Sequence, residues 1–114
     1  MKKLYILSIL IFVALFTFAQ TSDLEAFLKS QPQIKSVEKI KGNNFFETTY
    51  KIMVKQPIEH SDTPIGFFLQ RVFVADKGIE NPVLLITEGY GAGYAGNQRY
   101  LNELSPMLNS NQIC

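Results

Sequence analysis

Pro82-Val-Leu-Leu-Ile-Thr-Glu-Gly-Tyr-Gly-Ala-Gly-Tyr94 decides the reading of this chain. The run Val83 to Thr87 has no alternating polar residues, the pattern of a central parallel strand covered on both faces. It breaks into a glycine-rich loop, and Leu101, Leu104 and Leu108 then recur at helical spacing between Gln98 and Leu108. Strand, loop and helix in that order outline an α/β fold, in which loops at the carboxyl ends of parallel strands carry the chemistry. Pro106 interrupts the helical stretch, and proline costs about 3 kcal/mol in a helix interior, so a kink or a split at Ser105 is expected.

Upstream, Phe45 to Val54 is rich in aromatic and β-branched residues and alternates, placing Phe46, Thr48, Tyr50, Ile52 and Val54 on one face of a half-buried strand. Gln56 to Pro64 interrupts it, and Gly66 to Val74 reads as a second strand antiparallel to the first. Asp76-Lys77-Gly78 closes that strand with a turn. Ile34, Val37 and Ile40 lie three apart, which fits a solvated strand or a short helical turn equally. Ser22-Asp23-Leu24-Glu25 has the spacing of a capping box, so a helix is expected from Asp23 to Lys29 with Leu24, Phe27 and Leu28 on its inner face. Gln31-Pro32 ends it, because the residue before proline is pushed out of the helical region. Gln112-Ile113-Cys114 reads as the start of another strand.

The first nineteen residues read as a secretory signal peptide: Met1-Lys2-Lys3 is positive, Leu4 to Phe18 is uncharged and apolar, and Thr17-Phe18-Ala19 places small residues at the cleavage positions. The run is shorter than the roughly 20 apolar residues that span a bilayer, so no stable membrane anchor is expected after cleavage. Localisation would then be periplasmic or extracellular. Removing Lys2 and Lys3 leaves nine of the eleven Lys and Arg residues against ten Asp and Glu. A near-neutral chain lacks the basic surface that drives nucleic-acid binding. The single cysteine, Cys114, has no partner for an intrachain disulfide and reads as a core thiol.

Gly91-Ala-Gly93-Tyr-Ala-Gly96 matches the Gly-x-Gly-x-x-Gly nucleotide fingerprint. Four residues, Thr87 to Tyr90, separate it from the strand, whereas the fingerprint's first glycine turns directly off the strand. His60, the one histidine, follows Glu59 and reads as a loop histidine more readily than as a general base, for no activated nucleophile accompanies it. A lone histidine among scattered carboxylates lacks metal-ligand spacing. Glu88, at the carboxyl end of the apolar strand, is expected either to pair with a cation such as Arg71 or to face a site. Tyr90, Tyr94 and Tyr100 divide evenly between packing and lining a cleft.

Gln56-Pro-Ile-Glu-His60, Phe68-Leu-Gln-Arg-Val72, Val83-Leu-Leu-Ile-Thr-Glu-Gly-Tyr90 and Asn111-Gln112-Ile113, in that order and spacing, resemble the N-terminal part of the secreted bacterial tripeptidyl aminopeptidases. These are serine peptidases of the α/β-hydrolase fold, and the resemblance covers Tyr50 to Cys114, with departures at Glu59 and Phe67. It implies residues 20–44 as a lead-in segment and 45–114 as the first part of an α/β-hydrolase domain: an antiparallel strand pair, then the first parallel strand and helix. It implies a peptide substrate, no cofactor, and a nucleophilic serine on a Gly-x-Ser-x-Gly elbow followed by an acid and a histidine. No Gly-x-Ser-x-Gly occurs in the chain, so the triad is expected beyond Cys114 and these 114 residues alone are expected to be inactive. The resemblance further implies that Gly89 and Tyr90 supply one half of an oxyanion hole, the Tyr90 N–H being the donor, with Glu88, Gly91 and Tyr94 lining the site. An esterase on the same scaffold and a small exported binding protein are the alternatives.

Overall fold

The computed structural model describes residues 24–61, 65–87 and 91–114. The expected signal peptide, and Ser22 and Asp23 of the capping box, lie outside the described residues. Helix α1 (Leu24–Ser30) is followed by strands β1 (Ile34–Lys41), β2 (Thr48–Pro57), β3 (Phe67–Asp76) and β4 (Val83–Leu85). A 3-10 helix (Ala92–Gly96), helix α2 (Leu104–Leu108) and strand β5 (Asn111–Ile113) complete the order. The result is a mixed α/β domain around one five-stranded sheet, ordered β1-β2-β3-β5-β4.

β2 and β3 form an unbroken antiparallel ribbon from Thr48 opposite Asp76 to Pro57 opposite Phe67. Aromatic and β-branched side chains suit such a half-buried surface, and their alternation sets its inner face. Tyr50, Ile52 and Val74 are buried there with Leu28 of α1, and Leu24, Ile34, Val37, Val54, Val72 and Ile113 pack around them. Glu25 and Lys29 add an ion pair one turn apart on α1. Phe27, expected on the inner face of this helix, is instead 60% exposed.

The ambiguous segment Ile34 to Lys41 is a strand, antiparallel to β2, with a register irregularity between Ile34 and Ser36. The irregularity explains the spacing of three. An extra residue there returns Ile34 to the face of Val37, so both pack on the α1 core, while Ile40 falls on the opposite face. Glu38 pairs with Lys51 directly across the ladder, and Lys35, Glu38, Lys39 and Lys41 leave this edge charged.

The second face is covered differently. Phe73 and Ala75 of β3 and Gln112 of β5 are buried on it, with Ala95 of the 3-10 helix and Ser105 of α2 buried from the covering side. The expected helix over Gln98 to Leu108 is not continuous. α2 starts at Leu104, which places Pro106 in its first turn, where a missing N–H breaks no intrahelical bond. The Leu104 N–H donates to Asn102 Oδ1, and Asn109 ends the helix in the left-handed region at φ 48. Leu101, Leu104 and Leu108 stay exposed, while Ser105 is fully buried because its Oγ donates to Gln112 Oε1 at 3.0 Å.

β4 is parallel to β5, as the apolar run implied, but it occupies the edge of the described sheet instead of its centre. It is also shorter than Val83 to Thr87. Leu84 faces the covered side, whereas Val83 and Leu85 are 60% and 65% exposed because the core beneath α1 reaches Ile113 of β5 but not β4. An apolar hollow of about 610 Å³ remains on that face, lined among others by Phe27, Ile79, Val83 and Ile113.

The turn after β3 is held mainly by Asn111, with Asp76 Oδ1 also accepting the Gly78 N–H at 3.0 Å and Asn81 Nδ2 donating to the carbonyls of Lys77 and Gly78. Asn111 Oδ1 accepts the N–H groups of Lys77 at 2.7 Å and Gly78 at 3.2 Å, and Asn111 Nδ2 donates to the carbonyls of Gly78 and Asn81, each at 2.9 Å. Gly78 sits at φ 134, a conformation L side chains rarely adopt. The neighbouring Ser110 Oγ is buried with no hydrogen-bond partner. Replacing Asn111 with leucine should therefore destabilise the chain by about 3 kcal/mol, since the Lys77 N–H and the Asn81 carbonyl lose their partner at once. Ser110→Ala should be neutral or stabilising by about 1 kcal/mol, since it removes an unsatisfied group. Urea unfolding of both variants measures the contrast, and equal losses would contradict this assignment.

Candidate functional site

Because β4 and β5 run parallel, their carboxyl ends open on the same edge of the sheet. The ladder continues past β4 through the Ile86 N–H, which donates to the Ile113 carbonyl at 2.7 Å. Cys114 then closes a reciprocal pair with Phe73, at 2.9 Å from its N–H and 2.8 Å to its carbonyl. The glycine-rich segment leaves from this edge. Glu88, Gly89 and Tyr90 lie outside the described residues. Gly91 is exposed, and Tyr94, on the 3-10 helix, packs edge-on against Tyr100 with ring centres 4.7 Å apart. Of the three tyrosines weighed as cleft residues, Tyr94 and Tyr100 thus pack on one another, with Tyr94 still 39% exposed.

The other half of the edge is built by the β2–β3 ribbon. Lys51 is level with Phe73 and hence with the end of β5, and Pro57 lies six residues further along β2. At 3.3 Å per residue the ribbon overhangs the carboxyl edge by about 20 Å. Ile58, Ile65, Phe67, Phe68 and Leu69 are all about half exposed or more on this overhang, and the Lys55 ammonium lies 3.8 Å from the Phe67 ring centre. His60 is exposed at its end. Among the described residues there is no group of three or more His, Cys, Asp or Glu side chains placed to hold a metal.

Arg71 sits just beyond the carboxyl edge, two residues from Phe73 towards the overhang and on the same face of β3. Its guanidinium lies 5.8 Å from the Phe73 ring centre and 3.7 Å from where a Cβ on Gly93 would stand. Sequence reading weighed Arg71 only as a partner for Glu88. What it missed is that β3 carries Arg71 to the glycine-rich segment, a placement that depends on β5 entering the sheet beside β3.

The three fingerprint glycines have unlike surroundings. A Cβ at Gly91 would meet nothing within 4 Å and one at Gly93 only ordinary contact, whereas one at Gly96 would lie 2.9 Å from two atoms of the buried Phe73 ring. Only the last glycine is demanded by packing, and the segment forms five residues of 3-10 helix. Such a short element lacks the aligned peptide dipoles that hold a pyrophosphate at a helix N-terminus. No protein family, curated protein or solved structure matches this chain.

These surroundings order the glycines by cost. Gly96→Ala should destabilise the chain by about 1–3 kcal/mol, the usual penalty of overpacking against a fixed ring. Gly91→Ala and Gly93→Ala should change stability by less than about 0.5 kcal/mol. Thermal unfolding of the three variants distinguishes a packing glycine from a ligand-contact pattern, which would show no such ranking.

Proposed function

We propose that this chain forms the amino-terminal part of an exported serine aminopeptidase of the α/β-hydrolase type, which releases short peptides from polypeptide N-termini through an acyl-enzyme. The observation that carries the reading is the order of the sheet. An antiparallel pair, β2 and β3, is followed by parallel β4 and β5, with the glycine-rich loop leaving the carboxyl end of β4. That is the arrangement expected at the start of such a domain, in which the loop after the first parallel strand would carry an oxyanion donor.

In this reading a serine hydroxyl from beyond Cys114 attacks the scissile carbonyl and passes its proton to a histidine. The carbonyl oxygen becomes an oxyanion and is met by the Tyr90 N–H together with the N–H following the serine. Collapse of this intermediate expels the amine of the remaining polypeptide, protonated by the histidine, and leaves the short peptide as an ester on the serine. Water then releases it. Gly89 gives the backbone its close approach, and Glu88, Gly91 and Tyr94 line the site. Arg71 contributes a hydrogen-bonding cation beside Gly93 for the carbonyls of the bound peptide.

A second reading is a small exported binding protein, favoured by the apolar overhang of Ile58, Ile65 and Phe67 to Leu69, for a soluble chain rarely leaves such a patch uncovered without use. An esterase on the same scaffold is separated from the peptidase by substrate alone. The test is the coding sequence after the Cys114 codon, joined to labelling of the encoded protein with a fluorophosphonate. A frame reaching Gly-x-Ser-x-Gly and a labelled serine are expected, together with cleavage of a tripeptidyl chromogenic substrate. Gly89→Pro in that protein should lower kcat by about 100-fold with little change in KM, the loss typical of one oxyanion donor. An immediate stop codon would move the assignment to the binding protein.

A further inference from the structure

A second polar hollow lies away from the carboxyl-edge loop, and the charges around it are uncompensated. It has a volume of about 540 Å³ and is lined by Lys41, Gly42, Asn43, Asn44, Gln98, Arg99 and Leu101. Its two walls come from the β1–β2 connection and from the stretch between the 3-10 helix and α2. Both are braced from within. Asn43 Oδ1 accepts the N–H groups of Phe45 and Phe46 at 2.8 Å each, and Asn97 Oδ1 accepts the Arg99 N–H at 2.9 Å. A Cβ on Gly42 would stand 2.1 Å from the Phe46 carbonyl oxygen, so the first wall has one path open to it. Asn43 Nδ2 donates to the Tyr100 carbonyl at 3.4 Å and ties one wall to the other.

Two cations, Lys41 and Arg99, face this hollow and no acidic residue lines it. Among the described residues the ion pairs are Lys29 with Glu25 and Lys51 with Glu38, so neither cation of the hollow is neutralised. The Asn44 and Gln98 amides add donors, while Asn43 is committed to the bonds that brace the walls. Leu101, 37% exposed, supplies an apolar contact in the same hollow. Ligand sites run to about 300–1,000 Å³, and a single inorganic ion, comparable with a few waters of about 30 Å³ each, would leave most of this one empty.

We propose that the hollow formed by Lys41, Asn44, Gln98, Arg99 and Leu101 binds an acidic peptide segment, two carboxylates meeting Lys41 and Arg99 and an apolar side chain between them meeting Leu101. Arg99 suits this task because its planar guanidinium takes a carboxylate through two parallel hydrogen bonds. The site is independent of the hydrolase assignment, since it uses neither the carboxyl-edge loop nor any residue outside this chain.

The test is fluorescence anisotropy of the full chain with a dye-labelled peptide alternating glutamate with leucine, against the same peptide carrying glutamine. Binding at least tenfold tighter for the acidic peptide is expected, fading as ionic strength rises to about 1 M, where charges are screened beyond about 3 Å. Lys41→Gln/Arg99→Gln should abolish the preference. Lys35→Gln/Lys39→Gln, which removes the same charge from β1 outside the hollow, should leave it intact. Circular dichroism confirms that each variant is folded. Equal binding of the two peptides, survival of the preference in Lys41→Gln/Arg99→Gln, or inorganic phosphate binding as tightly as the acidic peptide would each overturn the proposal.

Discussion

The three-residue strand β5 is the joint on which the domain depends. On one side it pairs with β3 through Val74 and Ala75, and on the other it pairs in parallel with Val83 to Leu85. Without it, the long ribbon and the β4 segment would be separate pieces, since β4 has no other neighbour in the described sheet. The strand also carries two side chains that organise what surrounds it. Asn111 satisfies the turn that delivers the chain to β4, and Gln112, 3% exposed on the second face, accepts from the Asn102 N–H and from Ser105 Oγ. A buried amide is costly unless it is bonded, so each contact that satisfies Gln112 also fixes where α2 and its approach lie.

This polar joint explains how α2 is held with so little apolar surface of its own. α2 is five residues long and its leucines point outward, yet it is anchored because Ser105 and the Asn102 backbone meet Gln112. The first face follows the opposite logic. There α1 covers the ribbon through Leu28 and the alternating residues of β2 and β3, and the cover reaches Ile113 of β5 but stops before β4. One face therefore adds a few directional bonds over β5 to the burial of Phe73 and Ala75, and the other is held by non-directional burial over β2 and β3.

The elements most legible in the sequence are those whose signal is local. Alternation and the Asp76-Lys77-Gly78 turn signal mark the ribbon, although β2 is shifted from Phe45–Val54 to Thr48–Pro57 and leaves Phe45 and Phe46 before the strand. The spacing of Leu24, Phe27 and Leu28 marks α1 to within a residue, although Phe27 is exposed. The leucine pattern from Leu101 to Leu108 misled, because helical spacing does not reveal that a buried glutamine outside the pattern will recruit Ser105 in place of the leucines. Strand spacing of three at Ile34, Val37 and Ile40 was ambiguous for the same kind of reason, as it depends on a ladder irregularity set by β2. The edge position of β4 was hidden too. An apolar run states what a strand's faces would bury against and not whether that cover is present. Of the candidate site, the glycine-rich loop was visible as sequence. The approach of Arg71 to Gly93 and the placing of Lys41 and Arg99 on one hollow depend on segments far apart in the chain.

The position of β4 also constrains any catalytic role for the loop that follows it. An oxyanion donor works by being held in place before the charge develops, which requires a rigid strand beneath it. β4 is secured on one edge by three residue pairs, its other edge has no partner strand among the described residues, and Val83 and Leu85 are largely exposed. Short strands paired on one side gain little stability of their own. Rigidity at Gly89 and Tyr90 therefore requires that the open edge and the hollow beside Phe27 and Ile79 be covered, either by further polypeptide or by a second molecule. The peptidase reading requires the first and the binding-protein reading the second, so protection of the Leu84 and Leu85 amides from hydrogen exchange reports on the same question as catalysis. In the 114-residue chain those amides should exchange faster than Ile52 and Val74. They should become as slow as those two only in the species that covers β4.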